Sequence, residues 1–306
     1  MQFPHPLPQV LQGTRILSLA LNLPGPAALL RCQRMGAQCY KLEPLPPAGA
    51  ACADPMHHYS PSAYAQLHGG IHVVQADLKT TAGQQQLHQL LALSDVLLTS
   101  FRPTALRKLG LSWDALHAQY PQLCLVRVLG SSTPDAMDTP GHDLTYQAEA
   151  GLTDDGHMPA SLFADMAGAV LTSEAVLQCL LQRARDGYGH CHDVGLAQAA
   201  HWLALPRQWQ LTTPSGDIGG AHAGYRLYRC QDGWVAAAAL EPHFAQRLCA
   251  LAGVQVTHAA DSTENMRQPQ VHDTIGRFLQ QHSVAQIRAM ATQSDIPLHL
   301  ISDQHK

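Results

Sequence analysis

Between Thr14 and Gly130 the chain alternates short apolar runs with segments whose apolar residues recur every three or four positions. TRILSLAL, CYKLE, VVQADL, DVLLTS and LCLVRVLG have the length and composition of strands. NLPGPAALLRCQRMG, TAGQQQLHQLLALS, FRPTALRKLG and WDALHAQYP have helical spacing. Gly36 stands where the first of these helices should stop. Pro103 stands near the start of another, where a missing N–H costs nothing. Strand and helix in regular alternation predict a mostly parallel sheet with both faces covered. A longer helix is predicted from about Ala164 to Arg183, broken by DGYGH, after which CHDVGLAQAA restarts a strand and then a helix.

From about Gln208 to Ala223 the composition shifts to Thr, Pro, Ser, Gly and Asp, which reads as a linker. Beyond it, GYRLYRC and WVAAAAL flank the turn QDG as a hairpin, and the remainder from Glu241 is predicted mostly helical. The expected architecture is therefore a Rossmann-like large α/β domain over 1–207, a linker over 208–223 and a smaller α+β domain over 224–306. At 306 residues the chain is long enough for two cores.

Composition narrows the partners. The net charge of -4 gives no reason to expect nucleic acid or an anionic membrane. No apolar stretch is expected to reach the length of a membrane span, and the first residues show no signal-peptide pattern. A cytoplasmic location is the expectation. Eight scattered cysteines with no Cys-x-x-Cys pair fit free thiols in a reducing compartment. In GHCHD, His190 and His192 would share one face of a strand, which supplies two ligands where a structural metal needs four, so no metal is expected.

Three acid–base residues stand out from a chain with only 14% charged residues. His142 is paired with Asp143 after a Pro-Gly turn in TPGHDLTYQAEAGL. Asp165 lies inside the apolar run ASLFADMAG, and Glu241 follows a run of apolar residues in LEPHF. Taken singly, each has a plainer reading. Asp165 would cap a helix, the His142–Asp143 pair would finish a turn, and Glu241 before Pro242 would begin a helix. Arg102 and Lys41 are the best candidates for binding phosphate, against the alternative of solvated surface charges.

Several pieces in fixed order resemble the CaiB/BaiF family, the family III CoA transferases that include α-methylacyl-CoA racemases. They are LQGTRILSLA, LPGPAALLRCQRMGAQCYKLEP, ADLKTTAGQQQLHQLL, DVLLTSFRPTALRKLGLSWDAL, PGHDLTYQAEAGL, ASLFADMAGAVL and GGAHAGYRLYRCQDGWVAAAALEPHF, covering roughly residues 11 to 300. FRP-x-x-L-x-x-L-G-L followed by PGHD is the most specific. The resemblance implies an acyl-CoA thioester as substrate, no separate cofactor, and a homodimer. It also implies that Asp165 matches an aspartate shared by transferases and racemases, while His142 and Glu241 match residues of the racemase-like branch.

On that branch, His142 and Asp165 would exchange the α-proton of a 2-methylacyl-CoA from opposite faces, with Glu241 orienting the imidazole. Arg102 and Lys41 would meet the CoA phosphates. The alternatives are a CoA transferase with Asp165 as nucleophile, and a non-catalytic protein that binds CoA esters or a partner. Apolar neighbours should raise the pKa of Asp165, whereas helix-terminal amides would lower it. The chain is a divergent member. His68-Gly69-Gly70-Ile71 replaces a basic N-R-G-K-like stretch, GSSTPDAMDTP replaces a glycine-rich loop, and Ser161 replaces an asparagine. It also stops near the point where family chains return to the large domain, so an open-chain homodimer is expected.

Overall fold

The computed structural model describes residues 8–153, 156–254 and 265–302. Backbone contacts divide the chain into two compact units, Met1–Ala204 and Leu205–Lys306. The first is built on six parallel strands: β1 (Arg15–Ser18), β2 (Gln38–Glu43), β3 (His72–Gln75), β4 (Val96–Thr99), β5 (Cys124–Leu129) and β6 (Cys191–Gly195). Their order is β3-β2-β1-β4-β5-β6, with Leu17 opposite both Tyr40 and Leu97, and Leu97 opposite Leu125.

Side-chain alternation along these strands makes two cores. Ile16, Val96, Leu98, Val126 and Val128 face one side, where α1 (Pro24–Arg34), α8 (Phe163–Asp186) and α9 (Leu196–Leu203) cover them. Leu17, Leu97 and Leu125 face the other, against Leu87 of α4 (Thr81–Leu91), Leu106 of α5 (Pro103–Lys108) and Leu116 of α6 (Trp113–Gln119). Three short helices complete this unit: α2 (Pro55–Tyr59) and α3 (Pro61–Leu67) between β2 and β3, and α7 (Asp143–Glu149) after β5. The sequence pattern had indicated none of these three, because each is too short to show a helical period.

Contrary to the expectation that no apolar stretch approaches the length of a membrane span, α8 is long and apolar enough by composition to cross one. In this fold it packs on α1, β5, β6 and α9. It ends at Gly187, whose φ of 83° suits a residue without Cβ.

The second unit contains α10 (Leu205–Gln208), the hairpin β7 (Tyr225–Cys230) and β8 (Gly233–Ala238), then α11 (Pro242–Ala252), α12 (Pro269–Gln280), α13 (Val284–Ser294) and β9 (Leu298–Ser302). Its antiparallel sheet runs β7-β8-β9, and Val235, Leu248, Ile275, Leu279 and Ile287 fill its core. β9 lies in the tail IPLHLISDQHK, where the sequence pattern suggested no strand; Asp303 to Lys306 lie outside the described residues.

Candidate active site

The strand order reverses direction between β1 and β4, and in open parallel sheets ligands bind outside the carboxyl ends of the strands at such a point. A pocket of about 190 Å³ opens there. Leu21 and Asn22 line it from the end of β1, Ser100 and Arg102 from the end of β4, and Val128, Leu129 and Gly130 from β5. His142, Tyr146 and Asp165 complete its polar wall. The first three residues of α1 are Pro24, Gly25 and Pro26, so two of its three leading amides carry no hydrogen. That helix end is a poor cradle for a pyrophosphate, unlike the same position in dinucleotide-binding sheets.

His142 is the residue before the first turn of α7. Thr145 holds its backbone: the His142 N–H donates to Thr145 Oγ1 at 3.1 Å, and that hydroxyl donates to the His142 carbonyl at 2.7 Å. The imidazole is exposed on the pocket wall. One turn on, Tyr146 lines the same pocket, and its close approach to the backbone depends on two glycines. A Cβ on Gly130 would lie 2.4 Å from Tyr146 Oη, and one on Gly141 would lie 2.6 Å from the same atom. Burial raises the Tyr146 pKa, as does the charge of Asp165, so the phenol stays protonated.

Asp165 is the third residue of α8, inside its first turn rather than at the cap. Its side chain is buried, yet its carboxylate has no hydrogen-bond or ion-pair partner among the described residues. Burial pushes its pKa up to about 7, and the neighbouring Asp143 carboxylate adds to the rise. Of the two opposed expectations for this residue, desolvation outweighs the helix terminus. One amide of that first turn is already used: the Asp165 N–H donates to Asp143 Oδ1 at 3.0 Å. Asp143 is itself buried, and its Oδ2 accepts from Gln147 Nε2 at 2.5 Å. Gln147 Nε2 also donates to the Ser161 carbonyl at 3.1 Å.

Arg102 precedes the first turn of α5, is exposed, and brings a permanent positive charge to the pocket. The loop that replaces the glycine-rich segment is tied at both ends. Gln198 Oε1 accepts from the Ser132 N–H at 3.0 Å, and Asp138 Oδ1 accepts from the Thr104 hydroxyl at 2.7 Å. Between these ties, Met137 reaches the pocket wall.

The structure does not bring all five sequence-predicted residues together. His142, Asp165 and Arg102 share the pocket. Lys41 does not, and the expectation that it meets phosphate is overturned. Its side chain is fully buried, with Nζ 2.8 Å from Glu43 Oε1, 2.8 Å from His68 Nε2, and hydrogen-bonded to Asp54 Oδ2. A phosphate would have to displace two buried carboxylates. Glu43, Asp54 and His68 have ligand atoms close enough to hold a metal ion, but the cation at their centre is the Lys41 ammonium. Burial and Lys41 both lower the His68 pKa. His68, the first residue of the stretch HGGI, therefore serves this interior cluster. Glu241 lies in the second unit, exposed at the start of α11, as the plainer reading of Glu241-Pro242 predicted. Asp143 and Tyr146 are site residues that residue-by-residue reading missed; the adjacency His142-Asp143 was the only signal for the first.

The fold is a doubly wound α/β sheet whose switch-point pocket gathers a histidine, a buried acid and an arginine. The chain matches the family model for CoA-transferase family III over residues 11–306 and belongs to that family. It is 30% identical over 278 residues to the probable fatty acyl-CoA transferase Rv3272 of Mycobacterium tuberculosis, covering 79% of this chain and 68% of the relative. It is 26% identical to the α-methylacyl-CoA racemase of Mus musculus, covering 77% of this chain and 62% of the racemase. The crystal structure of the M. tuberculosis protein superimposes with a TM-score of 0.79 at 25% identity, covering 97% of this chain and 84% of that one. Relatives of both activities place the chain among acyl-CoA enzymes.

Proposed function

We propose that the protein moves the α-proton of a 2-methylacyl-CoA thioester, racemising or epimerising that carbon through an enolate. The observation that carries this reading is the pairing, on one pocket, of an exposed imidazole with a buried carboxyl that has no hydrogen-bond or ion-pair partner among the described residues. One of the two takes the α-proton, leaving the electron pair on the thioester oxygen as an enolate. The other returns a proton to the opposite face, so nothing is gained or lost overall. An acid with a pKa of about 7 is populated in both protonation states at neutral pH, as a two-way proton carrier requires. Arg102 supplies the charge for a CoA phosphate. Glu241, as the orienting partner of the imidazole, and a homodimer as the working assembly come from the family resemblance.

Incubating a chiral 2-methylacyl-CoA in deuterated water tests this. Deuterium should enter the α-carbon, and His142→Ala should lower that rate by about 10²-fold or more; undiminished exchange in the variant overturns the assignment. CoA transfer is the second reading, supported by the name of the M. tuberculosis relative and by the free Asp165 carboxylate. There the carboxylate would attack the thioester carbonyl and expel CoA thiolate, leaving an acyl anhydride on Asp165 that hydroxylamine traps. Trapping without α-deuteration would establish transfer. Binding with neither would make the chain a CoA-ester-binding protein.

A further inference from the structure

We propose that Asp143 is a positioning residue that locks the two proton carriers to one another and holds a negative charge against Asp165. This rests on the reading of His142 and Asp165 as a proton-transfer pair.

The argument begins with connectivity. Asp143 directly follows His142 and is the first residue of α7, so its backbone sets where the imidazole leaves the chain. Its side chain reaches across to the first turn of α8 and accepts the amide N–H of Asp165 itself. Of the described residues, Asp143 is the one that is covalently joined to one proton carrier and hydrogen-bonded to the backbone of the other. A shift of Asp143 therefore moves both.

The second strand of the argument is charge. The Asp143 carboxylate is buried, and both its hydrogen-bond partners among the described residues are neutral: one backbone amide and the Gln147 side-chain amide. Among the described residues no cation neutralises it in hydrogen-bond contact, unlike Asp54 beside Lys41 or Asp193 beside Arg127. Its field consequently reaches Asp165 without a neutralising ion pair. The other titratable or charged groups among the described residues lining the pocket are Tyr146 from α7, His142 before α7, and Arg102 before α5. Tyr146 stays neutral and Arg102 attracts a negative charge, so Asp143 is the group that resists ionisation of Asp165. Burial begins that effect, and Asp143 adds to it.

Gln147 fits the same device. Its Nε2 bridges Asp143 to the Ser161 carbonyl, just before α8, while its Oε1 is buried without a partner. An unsatisfied buried acceptor is costly, and here the amide's donor end is committed to holding Asp143 against the start of α8.

The test reads Asp165 directly and needs no substrate. The protein is labelled with ¹³C at aspartate Cγ, and the Asp165 resonance is identified by its loss in Asp165→Asn. In the unaltered chain it should titrate near 7. In Asp143→Asn, which keeps an oxygen for the Asp165 amide but removes the charge, the midpoint should fall by about one pH unit, a tenfold loss of proton affinity. In Asp143→Glu, which keeps the charge but displaces the carboxylate by one methylene, the midpoint should stay near 7. The rate constant for α-deuterium exchange should then fall about tenfold with KM little changed. An unshifted midpoint in Asp143→Asn overturns the charge role, and full exchange activity in Asp143→Glu overturns the positioning role. If the unaltered protein exchanges no α-proton, the functional reading fails, while the titration still decides whether Asp143 governs Asp165.

Discussion

Asp165 carries the largest energetic consequence of any single residue at the site. Its pKa is about 7 in the folded chain, against about 3.9 for an unfolded aspartate. An acid whose pKa is raised by folding binds its proton more tightly in the native state. The resulting stability is fully present below about pH 4 and is lost as pH rises through about 7. Asp165→Asn removes this dependence. The variant should unfold at higher denaturant concentration than the parent at pH 8, by up to about 4 kcal/mol, and the gap should close towards pH 4. Equal pH profiles for the two proteins would show that Asp165 titrates normally. On the proposed function, the same substitution should also abolish α-deuterium exchange, a trade of stability against activity.

At the scale of elements, the connection between β2 and α3 is organised around one buried cation. Lys41 on β2 neutralises Glu43 on the same strand and Asp54 ahead of α2. Asp54 Oδ1 in turn accepts the Met56 N–H at the start of α2 and the Asn22 N–H in the turn after β1. Asn22 takes a left-handed φ of 70° and lines the pocket, so a cluster remote from the chemistry fixes part of its wall. Lys41→Met would leave two carboxylates buried without a counter-ion. The expected loss is about 3–5 kcal/mol in equilibrium denaturation. A loss under 1 kcal/mol would mean that the cluster is hydrated or protonated.

For the whole molecule, the division into two units follows from their separate cores. The first unit sandwiches its sheet between apolar layers, and the second closes a three-stranded sheet with helices. The described residues that line the pocket with His142, Asp165 and Arg102 belong to the first unit. A chain of residues 1–204 should therefore fold by itself, showing one cooperative urea transition by circular dichroism and the same Asp165 titration. A non-cooperative profile would show that its core needs the second unit.

Much of this protein was legible from local pattern alone. The five strands predicted before Gly130 became β1 to β5, because each is an apolar run flanked by polar turns, and the long helix at Ala164 differed from α8 only at its ends. His142, Asp165 and Arg102, which line one pocket, are singled out by their order in the chain together with the family resemblance, whereas residue type alone favours a turn, a cap and a surface charge. Tertiary structure decided the rest. Lys41 reads as a surface charge until Glu43, Asp54 and His68 are seen to enclose it. β9 reads as a tail until β8 supplies its hydrogen bonds. Asp143 reads as part of a turn until the amide of a residue 22 positions away is found on its carboxylate. Secondary structure follows from periodicities within a dozen residues, which a sequence displays. Burial and charge pairing depend on which distant residues meet, and only the folded chain determines that.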